Sequence, residues 1–407
     1  MPLFSRLVSL WKKETLALMR DRHALAALFA MPAIFILVMS LALADTDAFS
    51  GKDSAAIHYT LLDLDKSRAS AALEARLGNT PFSGKHPPPA DTEAARRQIQ
   101  AGETAFALLI PQGYGQQIVA RQTPVLQLLV DPTLPHALRE GFYRQVEAAH
   151  IRVSVLLALG TPEKAPAPPG AATTPMAEFE APALAVEAVG HGDAAPPAPP
   201  SAVQQNVPAW LIFSMFFVVI PISAIFIGER QHGALQRLAT QRVSFGLILA
   251  GKFLPFLLIN QIQAVLMVGV GRWLVPLCGG EALILPQSAA ALAALWLVSL
   301  AVSTAAVGWA LFIASLAKSS EQATVLGGVG NILMGAVGGI MVPRFVMPAA
   351  MQPWTRLSPM DWALEGFHQV MLRNGGISDT LPAAAALAAF GLAALALAWL
   401  RQAARKT

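Results

Sequence analysis

Six apolar stretches of about 20 residues recur along the chain, and each is long enough for a helix to cross the hydrocarbon core of a bilayer. They predict membrane spans at 24–44, 206–228, 253–271, 287–317, 322–342 and 381–400. With 55% hydrophobic and only 13% charged residues, the chain is too apolar to be one soluble domain. The predicted fold class is a polytopic α-helical membrane protein with six transmembrane helices.

The positions of the basic residues predict the orientation of these spans, because short loops rich in Lys and Arg stay in the cytoplasm. The loop predicted at 229–252 has one acid and four bases, which are Glu229, Arg230, Arg237, Arg242 and Lys252. This loop is therefore predicted to be cytoplasmic, as are the first 23 residues and the tail at 401–407. The net charge of +4 arises from such span-end bases, so no nucleic-acid partner is predicted.

The N-terminal segment 1–23 has the pattern of a basic amphipathic helix on a membrane surface. Its candidate functional residues are Trp11, Lys12, Lys13 and Arg20. A generic anchor helix that only sets the topology has the same pattern, and this alternative stays open.

The polar region 45–160 is predicted to be a small α/β domain, and it is extracytoplasmic if the N-terminus is inside. Its β-branched and aromatic runs predict strands, and its three- and four-residue apolar spacing predicts helices. The strands are predicted at Ile57–Leu62, Ala105–Ile110 and Val125–Val130, and the helices at Arg68–Leu77, Thr92–Gln100 and His136–Leu159. Asp63, Asp65 and Asp131 lie at strand ends, where turn formation is the expected role.

Two further segments lie outside the predicted spans. Residues 161–205 are rich in Pro and Ala and are predicted to be a linker, because they cannot bury enough apolar surface to fold alone. Residues 343–380 are predicted to be extracytoplasmic surface or re-entrant helices, with Trp354, Trp362 and Phe367 as interfacial anchors.

Polar and small residues inside the spans are the candidates for helix packing or for a substrate path. Buried amides in a bilayer join helices or line a transport pathway, and both interpretations stay open. The candidates are Asn260, Gln261, Gln263 and Asn331. Gly335 and Gly339 form a G-x-x-x-G pair that predicts a close helix interface, either between subunits or within one.

Within the loop at 229–252, apolar residues at three- and four-residue steps predict an amphipathic helix from Gly233 to Leu249. A helix lying on anionic lipid is the alternative. The order of residues adds a resemblance: Glu229-Arg230 leaves one span, Gly233 and Leu235 follow, and Gly251-Lys252 opens the next. This order resembles the signature loop of the ABC-2 type transporter permeases.

Other segments are similar to the same family. LLDLDKSRAS, AGETAFALLIPQGY and LLVDPTLPHA resemble the extracytoplasmic domain that one subgroup inserts between its first two membrane helices. RLSPMDWALEGFHQVMLR, at Arg356–Arg373, resembles the re-entrant helices that the family places before its last span.

The resemblance implies a membrane permease subunit of an ATP-driven exporter in the bacterial inner membrane, with a second permease subunit as partner. The amphipathic helix would be the coupling helix that touches a separate ATPase, through Glu229, Arg230, Gly233, Leu235, Leu238 and Arg242. The N-terminal helix would be the connecting helix. Glu229 is expected to anchor the coupling helix by pairing with Arg230, Arg237 or a base of the N-terminal helix. A periplasmic adaptor is a further partner that some such exporters use.

The sequence gives no support for catalysis by this chain. Gly246 to Lys252 matches most of a phosphate-binding G-x-x-x-x-G-K loop, but Phe253 stands where Ser or Thr must hold magnesium. No H-E-x-x-H or G-x-S-x-G motif is present. ATP and Mg are therefore expected on the partner ATPase, with no cofactor on this chain. A membrane-anchored receptor or scaffold and an ion channel are the alternatives, and no residue selects a cargo.

Overall fold

The structure is a computed structural model that describes residues 3–42, 58–78, 84–85, 87–101, 103–120, 122–134, 136–158, 183–189, 201–241, 243–342, 347 and 351–404. In chain order, the first elements are α1 (Leu3–Arg20), α2 (Arg22–Leu25), α3 (Met31–Ala42), β1 (His58–Asp63), α4 (Arg68–Leu77), β2 (Gly84–Lys85), α5 (Thr92–Gln100), β3 (Phe106–Ile110), α6 (Tyr114–Val119), β4 (Val125–Val130), α7 (His136–Ala158) and β5 (Ala183–Ala188). The remaining elements are α8 (Ala202–Phe216), α9 (Val219–Gln231), α10 (Ala234–Thr240), α11 (Phe245–Gly269), α12 (Val275–Leu277), α13 (Ala289–Leu316), α14 (Ser320–Val337), α15 (Gln352–Thr355), α16 (Pro359–Met371) and α17 (Ile377–Ala404).

The chain divides into two compact units. A helical unit is formed by Met1–Thr46, Ser201–Arg344 and Ala350–Thr407, and a sheet unit by Asp47–Pro200 with Phe345–Ala349. Among the described residues, five helices are long and apolar enough to cross a membrane: Arg22–Ala42, Ala202–Gln231, Phe245–Leu277, Ala289–Leu316 and Ile377–Gln402. The helix α14, which overlaps the predicted span 322–342, is not one of the five. Glu321, Gln322 and Asn331 lower its mean hydropathy.

Prolines interrupt the first two of these helices. Pro32 has no N–H to donate to the carbonyl of Leu28, and the backbone from Ala26 to Ala30 adopts a π-helical turn. In the second helix, α8 ends at Phe216 and α9 begins at Val219, just before Pro221. Pro221 likewise cannot donate to the carbonyl of Phe217.

The closest helix crossing lies between α13 and α17, at Gly308 and Gly391. A Cβ atom built on Gly391 would lie 2.4 Å from the carbonyl oxygen of Thr304, and one on Gly308 would lie 2.3 Å from that of Gly391. The two helices therefore meet backbone to backbone. Sequence analysis missed this pair, because single glycines on distant helices form no local motif.

The predicted pair Gly335 and Gly339 does not form one helix surface. Gly335 packs on Phe213 of α8, since a Cβ atom added to this glycine would lie 3.1 Å from that ring. Gly339 lies beyond the end of α14 at a left-handed φ of 80°, and the N–H of Ile340 donates to the carbonyl of Gly335 at 3.0 Å. This is the hydrogen bond of a Schellman helix end. The helix-interface prediction is therefore wrong for Gly339, since its backbone terminates the helix.

The sheet unit has five strands in the order β2-β1-β3-β4-β5. All neighbouring strands are parallel except β3 and β4. Alternate residues of each strand point to opposite faces; Phe106 and Leu108 face a core with α4, α6 and α7. Ala107 and Leu109 face α5. The predicted helices Arg68–Leu77 and Thr92–Gln100 and the strand Val125–Val130 are confirmed with these bounds.

The aspartates at the strand ends form turns, as predicted. The carboxylate of Asp63 accepts from the N–H of Asp65 at 2.9 Å, and that of Asp131 accepts from the N–H of Thr133 at 2.8 Å. Asp65 accepts from the N–H groups of Gly113 and Gly115, at 2.8 and 3.0 Å. These contacts hold the start of α6.

The linker predicted at 161–205 differs from the structure in its described part. Ala183–Ala188 forms β5, which pairs in parallel with β4, and α8 begins at Ala202 after a Ser201 cap. Backbone hydrogen bonds hold β5, whose side chains are mostly exposed. Composition alone missed the strand because it gains its stability from the sheet edge and not from a core of its own.

We expect Gly391→Ala to destabilise the helical unit by about 1–3 kcal/mol, because the new methyl group meets backbone atoms that cannot turn aside. Gly328→Ala is the matched control. Its Cβ atom would meet nothing within 4 Å, so we expect it to be neutral or stabilising by up to about 1 kcal/mol. Denaturation midpoints of the purified full chain in detergent micelles measure both. Equal midpoints for the two variants would contradict the close crossing.

The sheet unit should lose stability in acid through His150. Its ring is 2% exposed and contacts the hydroxyl groups of Tyr114 at 2.8 Å and Ser154 at 3.3 Å. Burial lowers its pKa from 6.5 to about 4. The folded state favours the neutral ring, so the contribution of His150 to the free energy of unfolding is complete above pH 6.5 and is lost as the pH falls towards 4. About 2 kcal/mol of this contribution is lost between pH 7 and pH 5.

Hydrogen exchange of β3 and β4 in the full chain, corrected for the intrinsic pH dependence, measures this loss. In the wild type we expect the stability measured by exchange to fall as the pH is lowered from 7 to 5. In His150→Gln we expect this fall to be absent. The same fall of stability with pH in the variant would show that another group titrates.

Candidate functional site at the junction of three helix ends

Four charged side chains join α1, the end of α9 and the beginning of α11. Glu14 Oε1 lies 2.9 Å from Lys13 Nζ and 2.8 Å from Lys252 Nζ. Glu229 Oε2 lies 2.8 Å from Lys252 Nζ, and Glu229 Oε1 pairs with Lys13 Nζ. Each carboxylate thus contacts both ammonium groups, and the four form a closed ring of alternating charge, the charge ring.

The charge ring is largely removed from water. The side chains of Glu14 and Lys252 are each 1% exposed, that of Glu229 is 12% exposed and that of Lys13 is 44% exposed. The ring of Phe226 lies 5.9 Å from Lys252 Nζ, within reach of a cation–π interaction. Buried ions need such complete pairing, because an unpaired charge in a low dielectric is strongly unfavourable.

Lys13 connects this ring to the surface. Burial acts to lower the pKa of Lys13, but Glu14 and Glu229 outweigh it and raise the pKa above its usual value. The ammonium group therefore stays charged at neutral pH. Leu10 on the same helix touches α11, where a Cβ atom at Gly251 would lie 3.0 Å from its side chain.

The partners of Glu229 agree with one of the three alternatives drawn from sequence. A base of the N-terminal helix, Lys13, pairs with it. Arg230 instead donates to the carbonyls of Ala317 and Lys318, at 2.7 and 2.9 Å, and Arg237 to that of His232 at 3.2 Å. Sequence analysis named Lys252 as part of the motif but not as a site residue, and it missed Glu14. A lysine inside an apolar run and an acid among the N-terminal bases were the available signals.

The predicted coupling helix is shorter than its sequence pattern suggests. The structure has α10 at Ala234–Thr240, and α11 begins at Phe245 because the side chain of Ser244 caps it, accepting from the N–H of Leu247 at 3.3 Å. Gly233 makes the turn between α9 and α10 with a left-handed φ of 69°, which glycine adopts most readily. The predicted loop 229–252 thus includes the last turn of α9 and two turns of α11.

The two leucines of α10 face inward. Leu235 and Leu238 are half-buried and pack against the core of the helical unit. Their contact with an ATPase stays a prediction. The exposed residues of this segment are polar: Gln236, Arg237, Thr240 and Gln241. Arg242 lies outside the described residues.

The remaining candidates of the N-terminal helix have different environments. Lys12 and Arg20 are exposed, whereas Trp11 is half-buried. No hydrogen-bond partner for Trp11 Nε1 occurs in the described part of the chain.

Three of the four membrane-depth amides connect helices. Gln261 donates to the carbonyl of Ser299 at 3.2 Å and accepts from the hydroxyl of that residue at 2.9 Å. Gln263 donates to the carbonyl of Leu28, the one that Pro32 leaves without its helical donor. Asn260 donates to the carbonyl of Met215 at 3.4 Å, next to the break between α8 and α9.

Asn331 is the fourth amide and differs from these. It is fully buried, and neither amide atom has a hydrogen-bond partner among the described residues. Within the same residues, no group of three or more His, Cys, Asp or Glu could hold a metal ion.

The five long apolar helices and the buried charge ring at their ends define the class as a multi-pass membrane protein. The sequence model of the family described as "ABC-2 family transporter protein" matches residues 24–400. The chain belongs to this family.

Two curated relatives share part of the chain. The chain is 28% identical to the "Linearmycin resistance permease protein LnrN" of Bacillus subtilis (strain 168) over 181 residues. The matched region is 44% of each protein. Over 164 residues the chain is 26% identical to the "Probable multidrug ABC transporter permease YbhR" of Escherichia coli (strain K12), covering 39% of this chain and 41% of the relative. The chain thus spans less than half the length of the curated relatives it matches.

We expect Lys252→Met to destabilise the helical unit by about 3–5 kcal/mol, because Glu14 and Glu229 then share one partly exposed lysine. The double variant Glu14→Gln/Lys252→Met should recover more than half of the loss, since it removes one charge of each sign. Lys12→Met is the control on the exposed face, with an expected effect within about 0.5 kcal/mol. Denaturation midpoints in mixed micelles measure all three. A double variant less stable than Lys252→Met alone would contradict the pairing.

Proposed function

We propose that the chain is the membrane-spanning permease subunit of an ABC-2 type exporter that moves its substrate by alternating access. A separate ATPase would bind ATP and Mg and supply the energy. The observation that carries the proposal is the charge ring, which fixes α1, α9 and α11 to one another beside α10. Because the end of α9 is held in this way, a displacement of the short helix α10 is transmitted to the membrane helices and is not lost in local bending.

The topology of the proposal has six spans, with α14 as the fifth. Support comes from its exposed apolar face, which suits lipid or another helix: Val325, Leu326, Val329, Ile332 and Leu333. Both termini and α10 would lie in the cytoplasm of a bacterial inner membrane, according to the excess of bases in these segments. The sheet unit would then be extracytoplasmic, between the first two spans.

The proposed docking surface for the ATPase is the polar side of α10. Gln236, Arg237 and Thr240 are exposed, while Leu235 and Leu238 hold the helix against the core. Polar and charged residues at such a rim set the encounter and orientation of a partner. The N-terminal helix α1 would act as the connecting helix, next to this surface through the charge ring.

The other proposed partners follow from family membership. The permease would function as a dimer with an identical or similar subunit, and a periplasmic adaptor could receive its cargo. The two relatives named above are a linearmycin resistance permease and a probable multidrug permease, which supports efflux of a drug-like substrate.

We expect Arg237→Glu to weaken association with the ATPase at least tenfold, because reversal of a rim charge on the docking surface opposes the partner. Co-purification of the full complex from native membranes in mild detergent measures this. Arg401→Glu, at the exposed end of α17, is the charge-matched control. The proposal fails if no ATPase accompanies the wild-type chain, which would favour a membrane-anchored scaffold.

Leu238→Asp separates docking from folding. Since Leu238 packs inward, we expect this variant to lower the stability of the helical unit as well as ATPase binding, whereas Arg237→Glu leaves stability unchanged. Loss of stability in both variants would remove the distinction between the two sides of α10.

A further inference from the structure

Two consecutive residues at the end of α9 contact different parts of the helical unit. Successive side chains of an α-helix point about 100° apart. Glu229 therefore reaches α1 and α11 through the charge ring, while Arg230 reaches the end of α13. The last turn of α9 is therefore connected to α1 and α11 on one side and to the end of α13 on the other.

Arg230 contacts backbone carbonyls at the end of α13. Its Nη2 atom donates to the carbonyl of Ala317 at 2.7 Å and to that of Lys318 at 2.9 Å. These carbonyls follow the last residue of α13, where a helix presents unpaired acceptors and the negative end of its dipole. A guanidinium group satisfies both acceptors and carries the charge that this helix end favours.

The acceptors of Arg230 lie in a turn that is itself held closed. The N–H of Lys318 donates to Gln322 Oε1 at 2.7 Å, and Ser319 caps α14 by accepting from the N–H of Gln322 at 3.2 Å. The end of α13 and the beginning of α14 therefore move together. A displacement applied at Ala317 reaches two long helices.

We propose that Arg230 is a positioning residue that passes displacement of α10 to the α13–α14 turn, an inference that rests on the proposed permease function. α10 begins four residues after Arg230, beyond the single turn at Gly233. Arg230 thus acts within the protein and not on the ATPase surface. It gives the fourth and fifth helices of the proposed bundle a direct polar connection to the coupling segment.

Spin labels test this connection. In a Cys278→Ser background, Gln241→Cys next to the end of α10 and Glu321→Cys on α14 place labels at two exposed positions outside the docking surface. The complex with the co-purified ATPase is measured with and without a non-hydrolysable ATP analogue. In the otherwise wild-type chain we expect a narrow distance distribution that the analogue leaves unchanged, because both segments move together. Arg230→Gln should widen the distribution roughly twofold or shift it by several ångströms when the analogue binds.

Arg230→Lys and Arg401→Gln are the matched variants. Arg230→Lys keeps the charge at the helix end, so we expect it to restore most of the narrow distance distribution. If the packing of the guanidinium group alone mattered, Arg230→Lys would be as wide as Arg230→Gln. Arg401→Gln removes an exposed arginine at the end of α17, outside the docking surface, and it should leave the distribution unchanged.

An Arg230→Gln chain with wild-type ATPase binding and an unchanged distribution in both nucleotide states overturns the inference alone. Absence of an ATPase from the wild-type preparation overturns the proposed function and this inference with it. Equal widening in Arg230→Gln and Arg401→Gln would also overturn it, since the effect would not be specific to the contact with α13.

Discussion

Burial of charge at the ends of apolar helices is the constraint on which the helical unit depends. Glu14 and Lys252 have almost no contact with water, and ions in such a place persist only when every one of them has an opposite partner. The charge ring meets this condition with residues from three helices that are far apart in sequence. It therefore fixes the position of α1 against the membrane helices more specifically than apolar contact does, because a shifted register would leave a buried charge alone.

The same requirement explains the polar side chains deeper in the bundle. Prolines in the first two long helices remove backbone donors, and a carbonyl in an apolar surrounding needs a partner. Gln263 supplies such a partner to Leu28, and Asn260 contacts Met215 beside the break before Val219. Helix interruption and membrane-depth amides thus belong together in this chain, and neither is an isolated feature of the sequence.

The sequence predicts those parts of the structure that depend on local pattern. The turns at Asp63 and Asp131, the helices of the sheet unit and the long apolar helices all arise from spacing within a few residues. The pairing of Glu14 with Lys252 spans 238 positions, and the contact of Gly308 with Gly391 spans two separate helices, so no local pattern contains either. β5 was missed for a related reason, because its neighbour in the sheet determines it. The inward direction of Leu235 and Leu238 depends on which side of a short helix the rest of the bundle occupies, which periodicity alone does not decide.

The crossing of α13 and α17 has a consequence for any motion of the bundle. Gly308 and Gly391 are in backbone contact, so neither α13 nor α17 can rotate or slide past the other without a collision of main-chain atoms. We expect the two helices to move as one rigid pair. We therefore expect rearrangement to occur as the other helices move against this pair, and the breaks beside Pro32 and Pro221 lie in two of those helices.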